Sequence, residues 1–303
     1  MRKAEDVSMA SVSLDVLCVG HASFDQVFTV PHHPVADEKI FAQDLVVCGG
    51  GPAANASVMV ARLGLSAGFS GYLGNDVFGD AHYRELLAEG VDVSGLVRGA
   101  APTPLSTVLV KPGGARSLVN FKGSTGTLAA DAIDLSGISA KVLLFDGHEP
   151  DLSVALLSRS VPKVLDAGSL HAGTRRLMGD VDHLVASEKF AREWLGRDDP
   201  KAALRDLSAM APVVVITLGE KGLLWCREGS EGHVEAPPAN ARDTTGAGDA
   251  FHGAYAAGLA AGWDFQKILK VASVCGAACC EVLGARPGLP VAKQVETLLG
   301  KTG

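Results

Sequence analysis

Asp243–Phe251 reads DTTGAGDAF, between a loop at Pro237–Arg242 and an Ala-rich run, HGAYAAGLAAG, of helical character. Glycines that open a helix leave its first amides without intrahelical acceptors. The amides of Gly246, Ala247 and Gly248 would then point outward with the positive end of the helix dipole behind them. That arrangement binds anions and suits a phosphoryl group in transfer. Glycine at 246 and 248 would keep a Cβ out of the anion's way. Asp249 falls in the same turn. A carboxylate repels an anion, so its place there argues for accepting a proton from an attacking hydroxyl, worth about 10²–10⁴-fold in rate. The same letters also describe an ordinary capped helix, with Thr244 or Thr245 as N-cap and Asp249 compensating the dipole.

A second glycine-rich stretch, Gly49–Gly64, reads GGGPAANASVMVARLG. Its glycines would let backbone amides approach a polyol, and Asn55, near a helix start, offers a donor and an acceptor. Alone, GGG is equally a turn between a strand and a helix. Asp25, in GHASFD after the first apolar run, could accept two hydroxyl hydrogen bonds or serve as a turn residue. Thr217–Gly222, TLGEKG, follows the apolar run VVVIT and reads as a ligand-side turn or a plain β-turn. Glu188, in HLVASEKF, is an acid at the end of another apolar run or a surface glutamate.

In their order along the chain these motifs resemble the ribokinase-like, or PfkB-type, carbohydrate kinases, from Leu14 to about Pro290. DTTGAGDAFHGA is similar to that family's C-terminal signature over twelve consecutive residues. The resemblance implies Asp249 as catalytic base and Gly246, Ala247 and Gly248 as the anion hole. It implies sugar contacts at Asp25, Gly50, Gly51 and Asn55, and a nucleotide edge at Thr217, Gly219 and Gly222. ATP and Mg²⁺ are the cofactors it implies, with Glu188 organising Mg²⁺ through water. That motif expects asparagine three positions earlier, where Val185 stands. Many members bind a monovalent cation beside the anion loop, where Asp243 and the GARPG turn lie, so K⁺ joins the candidates. Lys39 with Asn120 resembles the sulfofructose kinase branch, which carries an arginine where His148 stands here. Arg116, Lys122, His148 and Asp166 are further candidates whose roles stay open. The expected reaction is ATP-dependent phosphorylation of a small ketohexose- or pentose-like sugar. The alternatives are a nucleoside acceptor, with Phe24, Phe28 and Phe41 as a base slot, a sulfofructose-type sugar, or a catalytically silent binder on the same fold.

Such residues must be carried by strands and helices. Apolar runs at Leu14–Gly20, Ala67–Leu73, Val142–Phe145, Lys163–Leu165, His183–Val185 and Val213–Thr217 read as buried strands. Helical patterns at Pro52–Leu63, at Asp76–Glu89 and from about Gly246 and Asp264 alternate with them, which predicts an α/β fold with a doubly wound, mainly parallel sheet over 14–300. Val27–Val30 and Lys39–Val47, and the pair Leu105–Val110 and Arg116–Phe121 joined by KPGGA, break that alternation. We assign them to a small β-sheet lid from about 25–48 and 103–123. A further hairpin is expected over Gly222–Glu235.

With 303 residues, 47% of them hydrophobic, the chain can bury a large core. A formal net charge of -7 without a basic run argues against nucleic acid as partner. The six cysteines, mostly in apolar runs, read as reduced thiols of a cytoplasmic protein. No apolar run is long enough to span a membrane, and Met1–Ser13, without the apolar core of a secretory signal, reads as a flexible leader. GxxxxGK[ST] is absent, and CVGHASFD offers one glycine where a dinucleotide fold needs GxGxxG. The lid's exposed edges, and the family likeness, imply a homodimer through the lid, which closes on substrate.

Overall fold

The structure, a computed structural model, describes residues 11–301. The main sheet begins with β1 (Val12–Val19) and continues through β4 (Ala67–Gly74), β5 (Leu96–Gly99), β8 (Ile138–Phe145), β9 (Lys163–Ala167), β10 (His183–Ser187), β11 (Val213–Thr217), β12 (Leu223–Arg227) and β13 (Ser230–Val234). Their spatial order is β13-β12-β11-β10-β9-β8-β1-β4-β5. Neighbours from β11 to β5 pair in parallel, and only the β12–β13 hairpin adds antiparallel edges. Helices cover both faces, so the central strands are apolar on both sides. Val16, Cys18, Val142 and Leu144 meet α1 (Pro52–Arg62), α7 (Ala247–Ala260) and α8 (Phe265–Cys279). Leu17, Val19, Leu143 and Phe145, one residue on, join the opposite core with α3 (Pro150–Leu156), α4 (Ala172–Leu177), α5 (Glu188–Leu195) and α6 (Pro200–Leu207). The outer helices are α2 (Val77–Ala88), α9 (Ala285–Gly288) and α10 (Ala292–Lys301).

A second sheet, in the order β3-β2-β6-β7, is built from β2 (Ser23–Thr29), β3 (Asp44–Gly50), β6 (Leu105–Val110) and β7 (Arg116–Phe121). It is mixed: β2 pairs antiparallel with β3 and parallel with β6, and β6–β7 is the expected hairpin. Gly113 and Gly114, both at positive φ, make its turn. Val27, Val108, Val110 and Leu283 form a small separate core beneath this sheet, whereas β7 is exposed along its whole length.

Several expectations need correction. The leader expected at 1–13 lies outside the described residues up to position 10, but Val12 and Ser13 already pair with Ile138 and Ser139 in β1. The strand expected at 39–47 starts only at Asp44, and 31–43 is irregular. β5 has no counterpart in the sequence reading, because four residues carry no usable periodicity. None of the six cysteines is in a disulfide, and five are buried. Among the described residues no helix is long and apolar enough to cross a membrane.

Candidate functional site

In an open α/β sheet, ligands bind beyond the carboxyl ends of the strands. Here β1, β8, β9 and β10 run out toward Asp25, Asp146, Asp166 and Glu188, and α1 and α7 begin. α7 opens at Gly246, whose φ of 82° is the left-handed conformation that favours glycine. No side chain caps this helix, so the capped-helix reading with Thr244 or Thr245 fails. The Ala247 amide makes only a 3.4 Å contact with the Thr244 carbonyl, and those of Gly246 and Gly248 have no acceptor among the described residues. A Cβ on Gly248 would find nothing nearer than 4.0 Å, so this face of the turn is open. Gly246 differs, being packed against Ala285 of the GARPG turn.

Asp249, half-buried in that first turn, accepts a 2.7 Å hydrogen bond at Oδ2 from Asn55 Nδ2. Burial raises its carboxyl above the ordinary range, and the Asn55 amide opposes the rise. Asn55 stands in the first turn of α1, which starts at Pro52 behind Gly51 at φ 94°. Arg286, buried, donates from Nε to Asn55 Oδ1 at 3.1 Å, and its Nη1 lies 3.6 Å from Glu85 Oε2. Glu85 in turn accepts from the Gly49 amide at 2.7 Å. Asp25 is buried beside Gly50, with Ser23 Oγ donating to Oδ1 at 2.7 Å. Burial pushes its carboxyl up to about 6, with Asp249 adding to the rise. Asp25, Gly50, Gly51, Asn55 and the 246–249 turn therefore line one region.

On the other side of the anion turn, Thr217 closes β11, and Gly219 and Gly222 flank a short helical turn, both at positive φ. A Cβ on Gly222 would strike the Val234 carbonyl, so this glycine serves the β12–β13 hairpin. Glu188 is the first residue of α5, with Lys221 Nζ 3.3 Å from its Oε1. No cluster of three or more His, Cys, Asp or Glu able to hold a metal occurs among the described residues. A lone accessible carboxylate fits Mg²⁺ that keeps its waters and is held chiefly by phosphates. Asp243 is buried and already accepts from the Thr245 amide and hydroxyl (2.9 and 2.6 Å) and from the Gly284 amide (2.8 Å). It ties the 246–249 turn to the GARPG turn.

Residues 13–292 match the family model described as pfkB family carbohydrate kinase. The chain belongs to the pfkB family of carbohydrate kinases. Ribokinase of Bacillus subtilis (strain 168) is 26% identical over 294 residues, covering 94% of this chain and 99% of the relative. Fructokinase of Escherichia coli is 28% identical over 294 residues, covering 84% and 92%. The solved structure of ribokinase from Cryptococcus neoformans var. grubii serotype A in complex with ADP superposes with a TM-score of 0.81 at 25% identity, covering 94% of this chain and 99% of that one.

Not every candidate in this carbohydrate kinase joins the cleft. Lys39 is exposed in the irregular stretch 31–43, its ammonium 5.9 Å from the Phe41 ring centre. Asn120, exposed on β7, pairs with Ser106 and so shares the sheet face of Asp25, which Ser106 also adjoins. The pairing of Lys39 with Asn120 is thus not formed by side-chain contact within the described residues. Phe24, Phe28 and Phe41 make no common slot: Phe24 packs on Phe78, Phe28 follows it on the face of β2 away from Asp25, and Phe41 is 80% exposed. The hairpin turn instead reaches the anion turn. Gly114 bridges to Asp243, and Arg116 donates to the Thr244 hydroxyl.

Asp146, Arg286, His82 and Glu85 were not singled out from the sequence. Asp146 is buried at the end of β8 and accepts from the amides of His21 (2.7 Å), His148 (2.8 Å) and Ala53 (3.2 Å), joining three segments at the cleft. An acid just past an apolar strand, before a glycine, was the available signal. Arg286 had only its place in the GARPG turn and His82 had none, since the two, 3.1 Å apart between Nη2 and Nε2, meet across 204 residues.

Proposed function

We propose that this kinase moves the γ-phosphoryl group of ATP onto a hydroxyl of a small pentose- or ketohexose-like sugar, with Asp249 as general base. The observation that carries this is one turn of helix holding both parts of the chemistry. The amides of Gly246 and Gly248 have no acceptor among the described residues, and Asp249, oriented by Asn55 at 2.7 Å, stands beside them. The acceptor hydroxyl loses its proton to Asp249 as its oxygen attacks, and the amides stabilise the charge on the transferring group. A carboxyl raised by burial is the better base near neutral pH. Asp25 and the Gly50–Gly51 backbone would hold the sugar's other hydroxyls. Thr217 and Gly219 would border the nucleotide, as the ADP-bound relative makes reasonable. Glu188 would hold magnesium through water beside the phosphates, where the ion would supply charge neutralisation. Arg116, at the start of β7, adds a positive charge near the same turn and lowers Asp249 by its field.

The small sheet would act as a lid whose hairpin already touches Thr244. Its outer face exposes Val119 (69%), Phe121 (52%) and Leu45 (49%), which supports a homodimer through this sheet. Val119→Lys should then give a monomer by light scattering at micromolar concentration, where the parent chain is a dimer.

A sugar with an acidic substituent is the second reading. A cavity of about 140 Å³ is lined by His21, Lys122 and His148, with Glu149 at its wall. The ring nitrogens of His21 and His148 make no hydrogen bond within the described residues, and the two ring centres are 5.1 Å apart.

ADP release should be measured across neutral sugars, phospho-, sulfo- and carboxy-sugars and nucleosides. Turnover with one sugar class, lost by about 10³-fold in Asp249→Asn while ATP still binds, is the expected result. Full turnover in Asp249→Asn, or none with any acceptor, overturns the reading.

A further inference from the structure

His252 lies one helical turn past Gly248 in α7 and is 2% exposed. Its Nδ1 is 2.6 Å from the Gly248 carbonyl oxygen and 3.2 Å from Asp166 Oδ2. Its Nε2 is 3.0 Å from the Val185 carbonyl oxygen. A backbone carbonyl can only accept. A neutral imidazole has one N–H and one bare nitrogen, so either tautomer would turn a lone pair onto one of these carbonyls. Only a ring with both protons satisfies both contacts. It then carries a positive charge at salt-bridge distance from Asp166, itself buried at the end of β9.

We propose that His252 is an imidazolium paired with Asp166, and that it is a positioning residue for phosphoryl transfer. Resting on the reading of 246–249 as the phosphoryl-binding turn, it fixes the Gly248–Asp249 peptide. That peptide carries the carbonyl of the anion turn's last glycine and the backbone amide of the candidate base. Its ties to Asp166 in β9 and Val185 in β10 anchor the opening of α7 to the carboxyl edge of the sheet. The same charge lies behind the amides, where it adds to the helix dipole. The charged groups around it are Asp166 from β9, Asp249 on its own helix and, acting on Asp166, Asp146 from the end of β8. Burial pushes Asp166 up to about 7, and the His252 charge opposes that rise.

Nitrogen-15 spectra of the histidine-labelled full-length kinase test this directly. The resonances missing in His252→Asn identify the ring among the nine histidines. At pH 7.5 both ring nitrogens should carry protons, and a neutral-tautomer pattern overturns the proposal. In Asp166→Asn the ring should turn neutral and kcat should fall about 10–100-fold, as small misplacements of reacting groups do. KM for ATP should rise and KM for the acceptor stay unchanged, a split that general loosening would not produce. Wild-type kcat in Asp166→Asn, at unchanged thermal stability, also overturns it. Asp249→Asn should lose turnover yet keep the His252 signature, so failure of the base assignment and failure of this pairing are told apart.

Discussion

Gly49–Gly51 and Gly246–Gly248 each open a helix, and α1 and α7 then lie together so that Asn55 meets Asp249. The two turns use glycine for different reasons. A Cβ on Gly49, Gly50 or Gly51 would come closer than 3.0 Å to the His82 ring, the Asp25 carboxylate and the His21 carbonyl respectively. In the later turn, Gly246 is needed for its backbone angle and its packing on Ala285, and Gly248 alone has free space before it. The early turn therefore needs glycine so that a polar floor can close against the backbone. The late turn leaves space open before its glycine at one position, Gly248. Two stretches that look alike in sequence differ in whether the protein fills the space before the glycine or leaves it open.

Replacing each glycine separately should pull the two turns apart. Gly248→Ala should cost the most in activity, roughly 10–100-fold in kcat/KM for ATP, since a misplaced reacting group costs this much. Its fold should be as stable as the parent or up to about 1 kcal/mol more stable, because alanine is the better helix residue. An activity loss matched by a lower thermal midpoint would contradict the open-face reading. Gly50→Ala should do the reverse, lowering stability by about 1–3 kcal/mol through overpacking against Asp25, as thermal melts would show.

Asp25→Asn sharpens the same contrast. The Asp25 carboxyl titrates at about 6 when folded, above its unfolded value near 3.8. The charged form therefore costs stability above the folded value, and the cost vanishes below the unfolded one. The asparagine variant should be more stable by on the order of 3 kcal/mol at pH 8, with no advantage by pH 3, while KM for the acceptor rises. A stability gain independent of pH would show that the carboxylate's burial is not its source. Asn55→Leu should show itself in the pH profile. Without the opposing amide, Asp249 should rise further, moving the acid limb of kcat to higher pH. An unmoved limb would mean that Asp249 is not the group titrating.

Much of the fold was legible because its signals are local. The β6–β7 hairpin, the start of α1 at Pro52 and the opening of α7 follow from alternation, proline geometry and glycine in a left-handed position. The irregular 31–43 segment was less legible, because apolar residues such as Phe41 sit there exposed and imitate a strand. Glycine had the same ambiguity: the letters around Gly222 suggest a nucleotide contact, and the Val234 carbonyl at the place of its Cβ gives it a structural reason as well.

The order of strands and helices, and the placing of an acid one position after the last glycine of a helix-opening turn, were determined by the amino-acid sequence alone. Each depends on residues within a few positions of one another. The partners of that acid were decided only by tertiary packing. Asn55 reaches Asp249 across 194 residues, and Arg286 reaches Asn55 across 231. Which polar groups share a buried site depends on how helices cross on the sheet. No periodicity along the chain encodes that crossing.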